Sequence, residues 1–281
     1  MAPLIDRSNE AQAAAWDGDE GEYWAAHHER FEECLAHYQP AFHAASGIRP
    51  GDRVLDVGCG TGGTTREAAR AAVGGQACGI DLSGQMIEVA RKIAAVEGLD
   101  NAQFEQADAQ VHPFSTAELD AVISRTGAMF FGRPQKAFAN LGRALRPGGR
   151  LTLLTWQPVE RNEWIGAFAG TLAGRMPPEQ PPGTPGPFSL SDPVHVRALL
   201  ESTGFEDVEL EGMSGPMTYG RDAGESHAFV LGLLGWMLEG RSADERARAV
   251  ERLRAVLEAH DGPGGVRLGS AAWLVTARRA C

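Results

Sequence analysis

Three aspartates and a run of glycines are the residues whose types and spacing suggest chemistry. Asp56 lies near the end of a short apolar run, Arg53 to Val57, and Gly58, Gly60, Gly62 and Gly63 follow directly. Glycines let a backbone turn tightly and let a ligand approach without meeting a Cβ. A helix expected to open at Thr64 would aim free N–H groups at the same place. Asp81 lies near the end of a second apolar run, Cys78 to Leu82, where a carboxylate can accept both hydroxyls of a ribose. Asp108 follows a third run, Ala102 to Ala107, and is placed to accept from an adenine amino group. Read alone, Gly58-x-Gly60-x-x-Gly63 also fits a dinucleotide-binding loop. Asp56 argues against that, because a carboxylate two residues before the first glycine repels a pyrophosphate. It suits a nucleoside carrying an ammonium and a sulfonium.

These residues need a scaffold that gathers strand ends. Strands are predicted over 53–57, 78–82, 102–107, 119–124 and 150–156, and helices over 64–72, 83–98 and 134–145. Strands alternating with helices of this length give βαβ units, right-handed crossovers and a parallel sheet. In such open sheets ligands bind outside the carboxyl ends of the strands. Ahead of the first strand, residues 8–47 are rich in aromatic, His and acidic side chains and read as one or two helices. The rhythm breaks at 158–190, which holds Pro177, Pro178, Pro181, Pro182, Pro185 and Pro187. A stretch this irregular reads as a lid or mobile loop. A helix follows from Asp192-Pro193 to Gly204, then a half-exposed strand over 207–211. Residues 222–260 read as helical, with capping-box spacing at Ser242 and Glu245, and 265–278 reads as the last strand.

The combined motifs resemble class I S-adenosylmethionine-dependent methyltransferases over about residues 50–156. Val54 to Gly63 is similar to that family's first motif, and Ile80-Asp81-Leu82-Ser83-x-x-Met86 to its second. Ala107-Asp108-Ala109 resembles its adenine-contact motif, and Leu145 to Leu151, with Pro147-Gly148-Gly149 inside, its turn into strand five. The resemblance is closest to the ubiquinone/menaquinone-biosynthesis-like branch, which acts mostly on small molecules. It implies an α/β, Rossmann-like methyltransferase fold: a mostly parallel seven-stranded sheet flanked by helices, its last strand antiparallel. S-adenosyl-L-methionine would be the cofactor and S-adenosyl-L-homocysteine the product. Asp56, Gly58, Cys59 and Gly60 would form the cofactor loop, with Asp81 on the ribose. Leu82 and Met86 would sandwich the adenine, and Asp108 with Ala109 would read its edge. Ser124 and Arg125 would face the methionine tail and the acceptor, and Tyr23 and Trp24 are lid candidates. Met129, Phe130 and Trp156 are candidates for the acceptor pocket. His28, Arg125 and His227 are the candidates for a base. The family's last two strands usually form a direct hairpin, so the residues intervening at 212–264 suggest a helical cap.

The expected organisation is a helical lid at 1–48, a cofactor-binding core at 49–157, and the rest of the sheet at 158–281, with covering insertions at 158–190 and 212–264. The 281-residue chain carries a net charge of −11, which disfavours a nucleic-acid partner, because binding through phosphates needs a basic face. Cys34, Cys59, Cys78 and Cys281 show no CxxC spacing, and the histidines show no HExxH, so no metal site is expected. No apolar segment reaches the ~20 residues a membrane span requires, and the polar Met1–Glu22 stretch offers no signal peptide. A cytoplasmic enzyme acting on a small molecule is the expectation, with a homodimer left open. A nicotinamide-dependent oxidoreductase and a non-catalytic S-adenosylmethionine-binding module are the alternatives.

Overall fold

Strands and helices alternate along the chain as the sequence predicts, and they close into one sheet in the computed structural model, which describes residues 3–175 and 184–281. After a 3₁₀ turn come four short helices: α1 (Glu10–Trp16), α2 (Asp19–Ala26), α3 (His28–Leu35) and α4 (Gln39–Ser46). Next are β1 (Arg53–Val57), α5 (Gly63–Ala71), β2 (Gln76–Asp81), α6 (Gly84–Val96), β3 (Ala102–Gln106) and β4 (Leu119–Arg125). Then follow α7 (Pro134–Ala144), β5 (Leu145–Trp156), α8 (Glu163–Ile165), a π-helical turn (Gly166–Gly170) and α9 (Thr171–Ala173). The chain ends with α10 (Pro193–Ser202), β6 (Phe205–Gly220), α11 (Ala223–Leu234), α12 (Ala243–Ala259), β7 (Asp261–Gly262) and β8 (Gly265–Arg279).

The strand order is β3-β2-β1-β4-β5-β8-β6, with the two-residue β7 paired to β8. Strands β1 to β5 pair in parallel, and β8 runs antiparallel to both its long neighbours. The expected mostly parallel sheet with an antiparallel last strand is therefore present. Its centre is apolar on both faces: Val54, Leu55 and Val57 of β1, Ala121 to Ile123 of β4 and Leu151, Leu153 and Leu154 of β5 are all buried. Small residues on α5, Ala68 and Ala69, seat that helix closely on β1 and β2. The order reverses between β1 and β4, and that reversal opens a crevice at their carboxyl ends.

Several parts differ from the sequence reading: 159–173, read as irregular, is mostly helical, and β5 starts at Leu145 rather than at 150. The N-terminal segment forms four helices rather than one or two, broken at Gly18, at His27 and around Ala36–Tyr38. Strand β6 covers 16 residues where 207–211 was expected, so the inserted segment begins after Gly220 and not at 212. Gly212, Gly215 and Pro216 are residue types depleted in strands. At a sheet edge, paired only to β8, a proline forfeits no ladder bond on its open side. Beyond β6, α11 and α12 pack on one another and on the 163–173 helical segment, with Leu253 and Leu257 buried. The capping box at Ser242 and Glu245 is present. Of the proline-rich stretch, Pro177, Pro178, Pro181 and Pro182 lie outside the described residues. Among the described residues no helix is long and apolar enough to cross a membrane.

The N-terminal helices are tied to the far edge of the sheet by a buried hydroxyl relay. Ser270 Oγ of β8 donates to the Gly215 carbonyl at 2.7 Å, so its proton is committed and the Tyr38 hydroxyl donates to it at 2.6 Å. Ser270→Ala strips a partner from two groups in a dry setting. It should lower stability by about 1–3 kcal/mol in urea unfolding; an unchanged midpoint would show that the relay carries no weight.

Candidate functional site

A cavity of about 610 Å³ lies at the carboxyl edge of β1, β2 and β4, roofed by α2 and α3 and flanked by α11. Its size falls within the range of about 300–1,000 Å³ common for small-molecule sites. On the floor, β1 runs into Gly58 and Gly60, which hold φ of +66° and +54°, a region open to glycine at little cost. A Cβ on Gly58 would stand 2.8 Å from the Gly127 Cα, so the loops leaving β1 and β4 cross in backbone contact. Ser124 locks that crossing. Its Oγ donates to the Val57 carbonyl at 2.7 Å and accepts from the Ala128 N–H at 3.0 Å. Between them Thr126 holds φ of +60°, a strained choice for a β-branched residue.

Asp81 fixes the glycine loop from the neighbouring strand. One carboxylate oxygen accepts from the Gly60 N–H and the other from the Ser83 N–H, both at 2.9 Å. Each oxygen has further lone-pair capacity for a ligand hydroxyl. Burial raises the Asp81 pKa above the ordinary carboxylate value, opposed by the backbone donors. Leu82 and Met86 line the cavity beside it, and Ser83 caps α6 at the Met86 N–H. Cys59 lies in the same loop, and burial holds its thiol protonated, which makes it a poor nucleophile.

Asp56 lines no part of the cavity. It is 1% exposed and accepts from the Thr65 hydroxyl at 2.7 Å, so it joins β1 to α5 from below. Burial pushes its pKa up to about 7, with Thr65 and Arg125 opposing. Asp108 and Ala109 do line the cavity, but the Asp108 carboxylate is heavily engaged. It accepts from the Asp6 N–H, from Asn9 Nδ2 and from the Gln110 N–H, each at 2.9 Å. Its visible task is therefore to clamp the N-terminal segment over this end of the cavity. Asn9, which sequence reasoning missed, completes the clamp by accepting from the Gly132 N–H at 2.6 Å.

The roof is aromatic. Trp24 stacks on Phe31 with centroids 3.4 Å apart, and Trp16 meets Phe130 edge-on at 5.2 Å. The Tyr23 hydroxyl donates to the Phe229 carbonyl of α11 at 2.8 Å. Its ring lies where a Cβ on Gly232 would be, 2.3 Å away, so only glycine lets α11 come this close. Tyr23, Trp24 and His28 thus all line the cavity. Met129, Phe130 and Trp156 form an apolar chamber beyond the glycine loop, extended by Trp164 and by Phe168, Met217 and Tyr219, the last three not singled out by the sequence. Arg125 faces the same space, its side chain 8% exposed, and donates to Glu32 of α3 at 2.5 Å. His227 does not reach it; the side chain lies against the cap, 3.4 Å from the Val250 carbonyl. Among the described residues no group of three or more His, Cys, Asp or Glu side chains is placed to hold a metal ion.

Residues 54–149 match the model of a family described as a methyltransferase domain. That span runs from β1 into β5 and is similar to the methyltransferase domains of the ubiquinone/menaquinone-biosynthesis branch. The ubiquinone/menaquinone biosynthesis C-methyltransferase UbiE of Teredinibacter turnerae is 42% identical over 120 residues, 42% of this chain and 48% of that protein. An uncharacterized protein of Mycobacterium tuberculosis is 38% identical over 150 residues, 53% of this chain and 51% of that protein. The chain thus spans about half the length of the curated relatives it matches. The YcgJ protein from Bacillus subtilis shares the fold, with a TM-score of 0.60 at 19% identity over 88% of this chain and 99% of its own.

The raised pKa of Asp56 gives a signed prediction. In the folded chain its carboxyl titrates near 7 rather than 3.8, so its contribution to stability is complete below about pH 4 and is lost as pH rises through about 7. Asp56→Asn stays neutral and keeps an acceptor for Thr65. Its unfolding free energy relative to the parent should rise between pH 4 and 8 by on the order of 1 kcal/mol or more. Urea titrations at stepped pH read this directly, and a pH-independent difference contradicts it.

Proposed function

We propose that this chain transfers a methyl group from S-adenosylmethionine to a small apolar or aromatic acceptor. The observation that carries the reading is one cavity with two unlike halves. One half is a glycine loop held by Asp81; the other is an aromatic chamber around Met129, Trp156 and Phe168. The first half fits the nucleoside. Gly58 and Gly60 present bare backbone, Asp81 has acceptor capacity for ribose hydroxyls, and Leu82 with Met86 offers an apolar slot for a base. When bound, the cofactor supplies an activated methyl group and its departing thioether.

The protein's own part is then alignment and exclusion of water. The Asp81–Gly60 bond fixes the floor, and the Trp24–Phe31 stack and the Tyr23–Phe229 bond hold the roof over it. Orienting two reactants this way supplies up to about 7–11 kcal/mol of a barrier. A dry chamber also favours a reaction that discharges a cation. Where the acceptor is a hydroxyl or protonated amine, His28 is the histidine within the cavity for proton removal, a gain of about 10²–10⁴-fold. We assign no nucleic-acid partner, in keeping with the net charge of −11, and a cytoplasmic setting.

Calorimetry with S-adenosylhomocysteine is the direct test. The parent chain should bind it, and Asp81→Ala should weaken binding by on the order of a hundredfold, the loss expected of two hydrogen bonds to a charged acceptor. A metabolite extract incubated with S-adenosylmethionine should yield a product heavier by one methyl. No binding by the parent, or full binding by the variant, would overturn the reading.

A further inference from the structure

We propose that Tyr219, near the end of β6, selects the acceptor by donating a hydrogen bond to an oxygen that lies away from the atom to be methylated. This rests on the S-adenosylmethionine reading above, and it concerns the wall of the aromatic chamber opposite the glycine loop. Three polar groups lining the cavity are committed to protein partners. The Tyr23 hydroxyl donates to the Phe229 carbonyl at 2.8 Å, the Trp164 indole N–H to Asn162 Oδ1 at 3.1 Å, and the Cys34 thiol to the Thr218 carbonyl at 3.0 Å. Tyr219 differs. It is 4% exposed and lines the same cavity, yet among the described residues its hydroxyl donates only to the Met217 thioether, at 3.5 Å. A thioether is a weak acceptor, so a buried O–H capable of a strong bond makes a poor one.

The hydroxyl serves as a donor and not as a base. Burial, and after it the neighbouring Cys34 and Tyr38, hold the phenol protonated well above its ordinary range. Its proton turns about the C–O bond, so an oxygen brought within reach can replace the sulfur as its partner. A molecule of the same shape without that oxygen leaves the poor bond as it was. In an otherwise apolar pocket, one such polar group fixes orientation and discriminates between ligands.

Position in the sheet decides which oxygen this is. Strands β5 and β8 stand between β4 and β6. Neighbouring strands lie about 4.8 Å apart, so three spacings put β6 roughly 14 Å from β4. The glycine loop leaves β1, on the far side of β4, and the Tyr219 ring spans only part of that distance. Phe168 meets that ring edge-on, with centroids 4.6 Å apart, and closes this end of the chamber. The bound oxygen is therefore an anchor at the end of the acceptor remote from the methyl donor. The acceptor class is an aromatic ring system carrying a neutral, hydrogen-bond-accepting oxygen apart from its nucleophilic atom.

Equilibrium dialysis of the full chain with two probes tests this. One is 2-methoxynaphthalene, whose ether oxygen accepts but cannot donate; the other is 2-ethylnaphthalene, with a methylene in place of that oxygen. The ratio of ether affinity to hydrocarbon affinity should be about tenfold higher in the parent than in Tyr219→Phe, the effect of one hydrogen bond. Met217→Leu removes the competing sulfur and should keep the parental ratio or raise it. Equal ratios in the parent and Tyr219→Phe overturn the proposal, as does a parent that binds neither probe. So does a Met217→Leu ratio that falls to the Tyr219→Phe value, since the sulfur and not the hydroxyl would then recognise the ether. A Tyr219→Phe chain that loses both probes and S-adenosylhomocysteine alike also overturns it, because Tyr219 would then only support the packing. S-adenosylhomocysteine binding by the parent is measured separately. Its absence beside the expected probe ratios removes the S-adenosylmethionine reading and leaves Tyr219 as the group that binds the oxygen.

Discussion

The structure depends on one close crossing of backbone. Where strand order reverses between β1 and β4, Gly58 and Gly127 pass with room for no side chain between them. Sheets of this kind bind ligands at such a reversal because the two loops diverge there and leave their N–H groups and strand ends facing a gap. Ser124 joins the two exits, Asp81 draws the Gly60 loop back toward β2, and Asp56 pins α5 beneath. None of these three bonds is a ligand contact. Together they fix the floor against which a ligand is positioned.

The cavity above that floor is completed by sequence-distant pieces. The N-terminal segment is clamped through Asp108, Asn9 and Gly132, α3 through Cys34 to β6 and through Arg30 to α11, and α2 through Tyr23 to α11. The contacts that roof the cavity are mostly single hydrogen bonds and edge-on aromatic pairs, each worth about 0.5–1.5 kcal/mol. The floor belongs to a sheet whose central strands are buried on both faces. Local opening follows the lower local stability, so ligand access through the roof costs far less than any disturbance of the floor.

Much of the core was legible in the sequence because its signals are local. Apolar runs ending in Asp or Gly at fixed distances mark strands, turns and loop chemistry, and β1 to β4 fall on those runs to within two residues, with β5 extended back to Leu145. The parts that were not legible depend on contacts distant in the chain. Glu32 stands in a helix of mixed charge that resembles any solvated face; only the fold brings it to Arg125, 93 residues away. Asp108 looked like a free acceptor, and its occupation by Asp6 and Asn9 required the N-terminal segment to be in place. His227 suggested a base through its residue type alone, and the packing of α11 on α12 turns it away. Strand β6 was under-read because edge position tolerates Pro216 and glycines that a central strand would not.

The central claim is that a nucleoside with an amino-acid tail sits between this floor and this roof. A crystal structure of the chain with S-adenosylhomocysteine tests it most directly. The account predicts the ribose hydroxyls on the Asp81 carboxylate, the base against Leu82 and Met86, and the tail on the Arg125 side of the glycine loop. Density for the nucleoside outside the Gly58–Gly60 loop, or a ribose turned away from Asp81, would contradict it.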